Sequence, residues 1–219
     1  MHESGLPFDD PSGDRLRGWM GVDRASFYGD PAIGVAAMLA PGLVVWHQFV
    51  TVPADATEVE VMGQQWQWSY RLPGKDGRLG TSNARNISSD NPMGLNPDDP
   101  AGQDDIVIQN DDLHLPLGKP VKVLLRSIDV LHDFYVPEFR AKMDMIPGSV
   151  TYYWFTPTRT GTFDVLCAEL CGAAHAQMRS KVVVEEEKDY HAWLEKQRTF
   201  AELSAQGNVA KAAYKTGSE

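Results

Sequence analysis

Cysteine is scarce in this chain, which has only Cys167 and Cys171 among its 219 residues. Proteins that rely on a disulfide scaffold use more cysteines than this. A single disulfide between these two residues would need a particular Cβ geometry, and it would leave a neighbouring histidine and methionine without a role. The scarcity therefore excludes a disulfide scaffold and raises the question of why both thiols occur in one short stretch.

Basic residues are outnumbered by acidic ones. The chain has 20 Lys and Arg against 30 Asp and Glu, which gives a net charge of −10 and a pI of about 5.0. This balance argues against binding to nucleic acid and against docking on anionic lipid, because both partners repel an acidic surface. It suits a basic protein partner, and solubility alone explains it equally well.

Charged residues are absent from one segment, residues 31–54, which reads PAIGVAAMLAPGLVVWHQFVTVPA. A membrane-spanning helix needs roughly 20 apolar residues, so the segment predicts one transmembrane helix, with a buried soluble helix as the alternative. Residues 1–30 are polar, have no basic start and predict a loosely ordered tail. They do not fit a secretory signal peptide.

Helical periodicity is missing from most of residues 55–185. Short strand-like runs separated by Gly and Pro predict an all-β, antiparallel sandwich or barrel. The expected strands lie within TEVEVMGQQWQWSYRL, DIVIQN, KPVKVLLRS, DVLHDFYVP, VTYYWFTPT, GTFDVLCA and RSKVVVEEE. Residues 73–105 are rich in Gly, Pro, Asn and Asp and predict a solvated loop insertion. Apolar residues at helical intervals predict a helix over about 186–206, within a C-terminal helix and tail of 186–219.

The stretch CAELCGAAHAQM, residues 167–178, holds both thiols together with His175 and Met178. Thiolate, imidazole and thioether ligands favour copper or zinc over magnesium or calcium. A structural zinc site takes four Cys or His ligands, and thioether binds zinc poorly, so the methionine points to copper. Two thiolates on one tight loop can each bridge two copper ions, and such a pair needs one further terminal ligand at each end.

This ligand count calls for a second histidine from another part of the chain. His132, in DVLHDFYVP, follows a strand-like run and comes 35 residues before Cys167. In a β-sandwich an adjacent loop at the same end of the domain can present it. The other histidines are expected to be solvated or packing residues, and they are His2, His47, His114 and His191. Of these, His114 is expected to lie in a polar turn.

Five motifs of the chain resemble subunit II of the haem–copper cytochrome c oxidases, which carries the Cu-A centre in a cupredoxin domain. They are GQQWQWSY, LPLGKPV, DVLHDFYVP, KMDMIPG and CAELCGAAHAQM, within about residues 40–196. The resemblance implies a cupredoxin-like fold and a binuclear copper centre. Its implied ligands are His132, Cys167, Glu169 through its backbone carbonyl, Cys171, His175 and Met178. It also implies that the Glu169 side chain reaches a magnesium ion shared with subunit I.

The same resemblance implies two further roles. Trp66 matches the surface tryptophan that accepts electrons, whereas Trp68 and Tyr70 are expected to be core aromatics. Asp144 matches a docking position for cytochrome c. Asp133, Glu138 and Asp164 also lie near the ligands in sequence, and residues 55–219 carry 24 acidic and 17 basic residues, a net charge of −7. Such a surface would steer a basic cytochrome c, and salt would weaken the attraction.

The resemblance therefore implies an electron-transfer subunit of cytochrome c oxidase, partnered with subunit I and other membrane subunits. Most members carry two transmembrane helices before the copper domain, and here one is predicted. The expected location is a bacterial plasma membrane or mitochondrial inner membrane, with the copper domain on the periplasmic or intermembrane side. Two alternatives stay open: the Cu-A subunit of a nitric oxide reductase, and a non-enzymatic copper carrier. A nitrous oxide reductase needs a large second domain that 219 residues cannot hold.

Overall fold

The computed structural model describes residues 24–88 and 90–206, with side chains from residue 31 onward. The predicted tails therefore lie mostly outside the described residues. Contacts divide the chain into two units, with the division between Thr51 and Val52.

The first unit contains one long helix, α1, Arg24–Val50, which begins inside the segment predicted as a tail. Within it, Pro31–Val50 has a mean hydropathy of 1.6 and none of its side chains is buried in the chain itself. It is the one helix among the described residues that is long and apolar enough to cross a membrane, by length and composition.

The second unit is a sandwich of two five-stranded sheets, which confirms the predicted all-β class. The strands are β1 Thr57–Gln64, β2 Gln67–Leu72, β3 Ile106–Gln109, β4 Leu113–Pro116, β5 Val121–Ser127, β6 His132–Val136, β7 Ala141–Met145, β8 Thr151–Phe155, β9 Gly161–Cys167 and β10 Arg179–Glu185. The first sheet has the order β3-β2-β1-β5-β8 and the second β4-β10-β9-β6-β7.

The sheets are mixed rather than purely antiparallel. Strand β1 pairs in parallel with β5, and β4 pairs in parallel with β10. Alternate residues of the strands point into one apolar core between the sheets, as the two-residue period of a strand requires. Trp68 and Tyr70 belong to this core and are 2% and 0% exposed, as predicted.

Two strands were not anticipated from the sequence. The LHLP segment of β4 was expected to be a polar turn, but Leu113 and Leu115 are buried and His114 is half-buried between them. The His114 ring stacks on Trp193, with centroids 4.2 Å apart. Strand β7 lies in the KMDMIPG motif, where no strand was predicted.

Within residues 186–206, where one helix was predicted, the structure has two short helices. Helix α2, Glu187–Leu194, is followed by a break, and residues 200–206 are helical again. At the break the Phe200 amide donates to the Asp105 carbonyl at 2.8 Å, and Thr199 forms a bridge with Ile106. Pairing with the sheet edge therefore replaces the helical bonds that a continuous helix would make.

The insertion, residues 73–105, is more ordered than a solvated loop. Met93 and Leu95 are fully buried and form a second apolar cluster with Met62 and Phe200. The described part of the insertion contains no α-helix or long strand, as expected of a loop, but its two buried apolar residues also pack on the domain.

A cluster of ion pairs, buried except at Arg126, joins the insertion to the first sheet. It consists of Glu60, Arg71, Asp105 and Arg126. The Arg71 guanidinium donates to Glu60 Oε2 at 2.6 Å, to Asp105 Oδ2 at 2.9 Å and to the Gly80 carbonyl at 2.8 Å. Arg126 Nη1 donates to Glu60 Oε1 at 2.6 Å. Burial raises the pKa of Asp105 to about 6 despite the hydrogen bond from the Gly80 amide and the Arg71 charge.

Candidate metal centre

The predicted ligands meet at one end of the second sheet because of strand pairing. His132 opens β6 and Cys167 closes β9, and these strands pair antiparallel with Phe134 opposite Cys167. The ligand loop, residues 167–178, then turns back to begin β10 at Arg179. Residues 35 positions apart in sequence are therefore neighbours in space.

The donor atoms form a continuous set of short contacts. Cys167 Sγ lies 3.7 Å from Cys171 Sγ, 3.8 Å from His132 Nδ1 and 3.2 Å from the Glu169 carbonyl oxygen. Cys171 Sγ lies 3.5 Å from His175 Nδ1 and 3.9 Å from Met178 Sδ. The six predicted ligands are therefore brought together, with three partners around one sulfur and three around the other.

Both cysteines are free thiols buried from solvent. Their sulfur atoms are far beyond the length of a disulfide bond, which is about 2.05 Å. His132 and Met178 are fully buried, whereas His175 is half-buried in a short 3₁₀ turn, His175–Gln177. The ligand atoms of His132, Cys167 and Cys171 lie within 4.8 Å of one another, which is close enough to share a metal ion.

The chemistry of this donor set fits copper. Two thiols, two imidazoles and one thioether are soft or borderline ligands, and the sixth predicted donor is the backbone carbonyl of Glu169. Burial, together with the hydrogen bond to Cys167 and its charge, raises the pKa of Cys171 to about 11. A metal that binds here must displace the thiol protons, because the thiolate is the form that ligates.

Asp129 holds the His132 ring, and this role was not predicted from the sequence. Its Oδ1 lies 2.9 Å from His132 Nε2, so Nδ1 is left facing Cys167. Burial alone would raise the pKa of Asp129, but hydrogen bonds from the Gln65 amide and the His132 ring lower it instead. A carboxylate three residues before a candidate histidine ligand was the available signal, since such histidines usually bond a carboxylate through their second nitrogen.

Gly63 gives the His132 ring its space. A Cβ atom at this position of β1 would lie 3.1 Å from His132 Cδ2, closer than such contacts normally are. The Trp68 ring meets the same imidazole edge-on, with centroids 6.4 Å apart. The first sheet therefore shapes the pocket of a ligand that belongs to the second.

Trp66 lies in the turn between β1 and β2 and is 38% exposed. Its indole Nε1 donates to the Cys171 carbonyl at 3.3 Å, and the Gln65 side-chain amide donates to the same oxygen at 2.8 Å. The surface tryptophan is therefore one hydrogen bond from the ligand loop.

The acidic residues near the ligands differ in exposure. Glu138 and Asp164 are exposed, Asp144 is half-buried and Asp133 is only 1% exposed. Asp133 and Asp144 face each other in the β6–β7 register, and burial, followed by the hydrogen bond to Asp144, raises the pKa of Asp133 to about 6. Asp133 is therefore too buried to belong to a docking surface.

Comparison with known proteins identifies similar sequences. Residues 57–186 match the family model "Cytochrome C oxidase subunit II, periplasmic domain". The chain is 73% identical over 209 residues to the alternative cytochrome c oxidase subunit 2 of Bradyrhizobium diazoefficiens, covering 95% of this chain and 73% of that protein. It is 31% identical to the cytochrome c oxidase subunit 2 of Cereibacter sphaeroides, covering 77% of this chain and 58% of that one.

A solved structure is also similar, that of the periplasmic domain of cytochrome oxidase subunit II from Bradyrhizobium japonicum. It is 29% identical with a TM-score of 0.49, and the match covers 66% of this chain and 95% of that chain.

Proposed function

Because the chain belongs to the cytochrome c oxidase subunit II family, we propose that it accepts electrons from cytochrome c and passes them to haem in subunit I. In this proposal the companion subunits reduce oxygen to water and pump protons. The single observation that carries the proposal is the pair of buried thiols 3.7 Å apart, with a histidine beside each sulfur.

A binuclear copper pair bound here would take up and release one electron at a time. The residues that would hold it are His132, Cys167, Glu169 through its carbonyl, Cys171, His175 and Met178. The chain's own contribution is to fix these donors in a buried place. His132 is held by Asp129, Cys167 is the last residue of β9, and Met178 immediately precedes β10. Donors fixed in this way move little when the charge of the site changes, which favours electron transfer over bond-making chemistry.

Trp66 is the proposed point where electrons arrive. Among the residues whose side chains the structure describes, it is the large aromatic one that is both exposed and hydrogen-bonded to the ligand loop. Asp144 is proposed to help dock a basic cytochrome c, and a net charge of −7 over residues 55–219 would favour the encounter.

Glu169 is proposed to serve twice, through its carbonyl oxygen toward copper and through its carboxylate toward a magnesium ion shared with subunit I. Its side chain is half-buried, and the next residue, Leu170, is 85% exposed. Helix α1 is proposed to anchor the chain in the membrane, with the copper domain on the periplasmic side.

Electron paramagnetic resonance of the copper-loaded full chain tests the proposal. The chain is purified in detergent, loaded with copper and assayed for copper content before the spectrum is recorded. We expect two copper ions per chain and a seven-line hyperfine pattern, because one unpaired electron is shared by two copper nuclei. One copper per chain with a four-line pattern would refute the binuclear assignment.

Electron transfer is tested separately. Reduced cytochrome c is mixed with the oxidised, copper-loaded chain in a stopped-flow instrument, and the chain carrying Trp66→Phe is compared. We expect slower electron uptake by the variant and an unchanged copper spectrum. A changed spectrum would show that Trp66 supports the site structurally rather than conducting electrons.

A further inference from the structure

The Gln65 side chain crosses from the β1–β2 turn to the ligand loop, and the proposed function leaves it without a role. We infer that Gln65 is a positioning residue that holds the Trp66 ring against the Cys171 carbonyl. The inference rests on the proposed function, because it assigns to Gln65 the alignment of the residue that accepts electrons.

Two donors from adjacent residues share one acceptor. Gln65 Nε2 donates to the Cys171 carbonyl at 2.8 Å, and Trp66 Nε1 donates to the same oxygen at 3.3 Å. A carbonyl oxygen has two lone pairs and can accept both bonds. The Gln65 bond is the shorter, and the indole bond lies just beyond the usual range of about 2.7–3.2 Å. The amide therefore provides the firmer link between the turn and the ligand loop.

Gly172 shows how closely the turn packs on the loop. A Cβ atom at Gly172 would lie 3.0 Å from both Gln65 Nε2 and Trp66 Cζ2. The residue also has a φ of +124°, a conformation that other residues rarely adopt. The ligand loop thus presents bare backbone to both side chains at once.

The backbone of the same turn is hydrogen-bonded to the segment that carries His132. The Gln65 amide N–H donates to Asp129 Oδ2 at 2.7 Å, and Asp129 Oδ1 lies 2.9 Å from His132 Nε2. Gln65 therefore connects the two ligand-bearing segments, through its backbone to the His132 side and through its side chain to the Cys171 side.

Positioning is needed because Trp66 is exposed. A ring that is 38% exposed is covered by the protein on only part of its surface, and ordering an exposed side chain costs conformational entropy. A second hydrogen bond to the same carbonyl keeps that oxygen oriented toward the indole. Removing it should leave the ring more mobile and its N–H less protected from solvent.

Nuclear magnetic resonance of the metal-free full chain tests this without any electron transfer. The chain is produced with ¹⁵N in the indole groups of tryptophan, and Trp66→Phe identifies the Trp66 signal. Gln65→Glu keeps the shape of the side chain but cannot donate as a carboxylate, and Gln65→Leu removes the polar group. The control is Gln67→Leu, on the other side of Trp66 and half-buried.

We expect both Gln65 variants to shift the Trp66 indole signal and to speed exchange of its proton with solvent by roughly two- to tenfold, the range for loss of one hydrogen bond. The control should leave the signal in place. An unmoved Trp66 signal in both Gln65 variants would overturn the inference, and so would an equal shift in the control. If Gln65→Glu does not fold, Gln65→Leu decides the question alone.

Kinetics of the copper-loaded chain connect the position of the ring to function. We expect Gln65→Leu to slow electron uptake from reduced cytochrome c by up to roughly tenfold, and the double variant with Trp66→Phe to be no slower than Trp66→Phe alone. Additive losses would mean that Gln65 acts independently of Trp66 and would overturn the inference. A wild-type chain that binds one copper would defeat the proposed function, whereas the metal-free resonance experiment would still decide the role of Gln65.

Discussion

Two clusters of buried polar groups, the candidate metal centre and the ion-pair cluster beneath the insertion, differ in how their members are satisfied. In the ion-pair cluster each guanidinium faces a carboxylate at 2.6–2.9 Å, and Glu60 bridges Arg71 and Arg126. In the metal centre the shortest contacts of the two thiols are 3.2–3.9 Å, and both thiols are weak donors.

The difference separates a structural cluster from a binding site. Buried charges are tolerated when opposite charges neutralise them within the fold, and the ion-pair cluster meets this condition without a ligand. The candidate metal centre brings together soft donor atoms that form only weak hydrogen bonds with one another. They lie in a buried pocket whose shape depends on Asp129 and Gly63. Soft donor atoms that lie close together and are not already paired with opposite charges are available to bind a metal ion.

Cys171→Ser should have the largest effect on the metal centre. The hydroxyl of serine is a poor substitute for a thiolate that bridges two coppers, so we expect complete loss of the binuclear signal, measured by paramagnetic resonance and copper content. Met145→Leu is the matched control, because Met145 is fully buried opposite His132 but is not a proposed ligand. If the serine variant retains two coppers per chain, Cys171 is not a required ligand and the assignment of this cluster as a binuclear copper site is wrong.

Arg71→Met tests whether the charges of the ion-pair cluster neutralise one another within the fold. The change leaves Asp105 buried without its cation and leaves Glu60 with Arg126 alone, so we expect a loss of about 3–5 kcal/mol in the free energy of unfolding. Urea denaturation of the metal-free chain measures this loss in the free energy of unfolding. Arg85→Met, at an exposed position in the insertion, should change stability by about 0.5 kcal/mol or less. A loss that small for Arg71→Met would remove the distinction between the clusters.

The sequence predicted the metal centre better than the ion-pair cluster. Four of the donor side chains lie within residues 167–178, and soft ligands at such spacing are uncommon by chance, so only His132 had to be found elsewhere. The ion-pair partners are spread over four positions between residues 60 and 126, in elements whose register decides which side chains meet. Charged residues are ordinarily read as exposed, and the pattern gives no sign that these are buried.

Strands could be predicted from the sequence where the alternation of apolar and polar residues continued over enough residues to be recognised. Strand β4, LHLP, has four residues and ends in proline, which favours the interpretation as a turn. Strand β7, AKMDM, does alternate apolar and polar residues, so its period of two was an available signal that the prediction missed. The break before Phe200 depends on a hydrogen bond to Asp105, which helical periodicity cannot reveal. The insertion looked solvated because its composition is polar, yet two apolar side chains, Met93 and Leu95, are enough to dock it on the first sheet.

Asp129→Ala should weaken the metal centre without removing a ligand. Loss of the carboxylate frees the His132 ring to rotate, and partners of this kind change metal affinity by roughly 10- to 100-fold. Competition with a copper chelator measures the affinity. Asp111→Ala, an exposed aspartate outside the site, serves as the control. Unchanged affinity in Asp129→Ala would mean that Trp68 and Gly63 alone hold the imidazole.

Asp144→Asn should have the smallest effect, because it changes one partly exposed charge. We expect electron uptake from a basic cytochrome c to slow by roughly two- to fivefold at low ionic strength, and the difference to vanish at high salt as the charges are screened. Asp98→Asn removes the same charge from an exposed position in the insertion. If Asp144 lies on the docking surface, its variant should slow the reaction more than Asp98→Asn at low ionic strength, and it alone should slow the reaction near 0.1 M salt, where screening limits each charge to about 10 Å. Equal slowing in both variants would show that net charge alone steers the donor, and that the metal end of the domain attracts it no more than the insertion does.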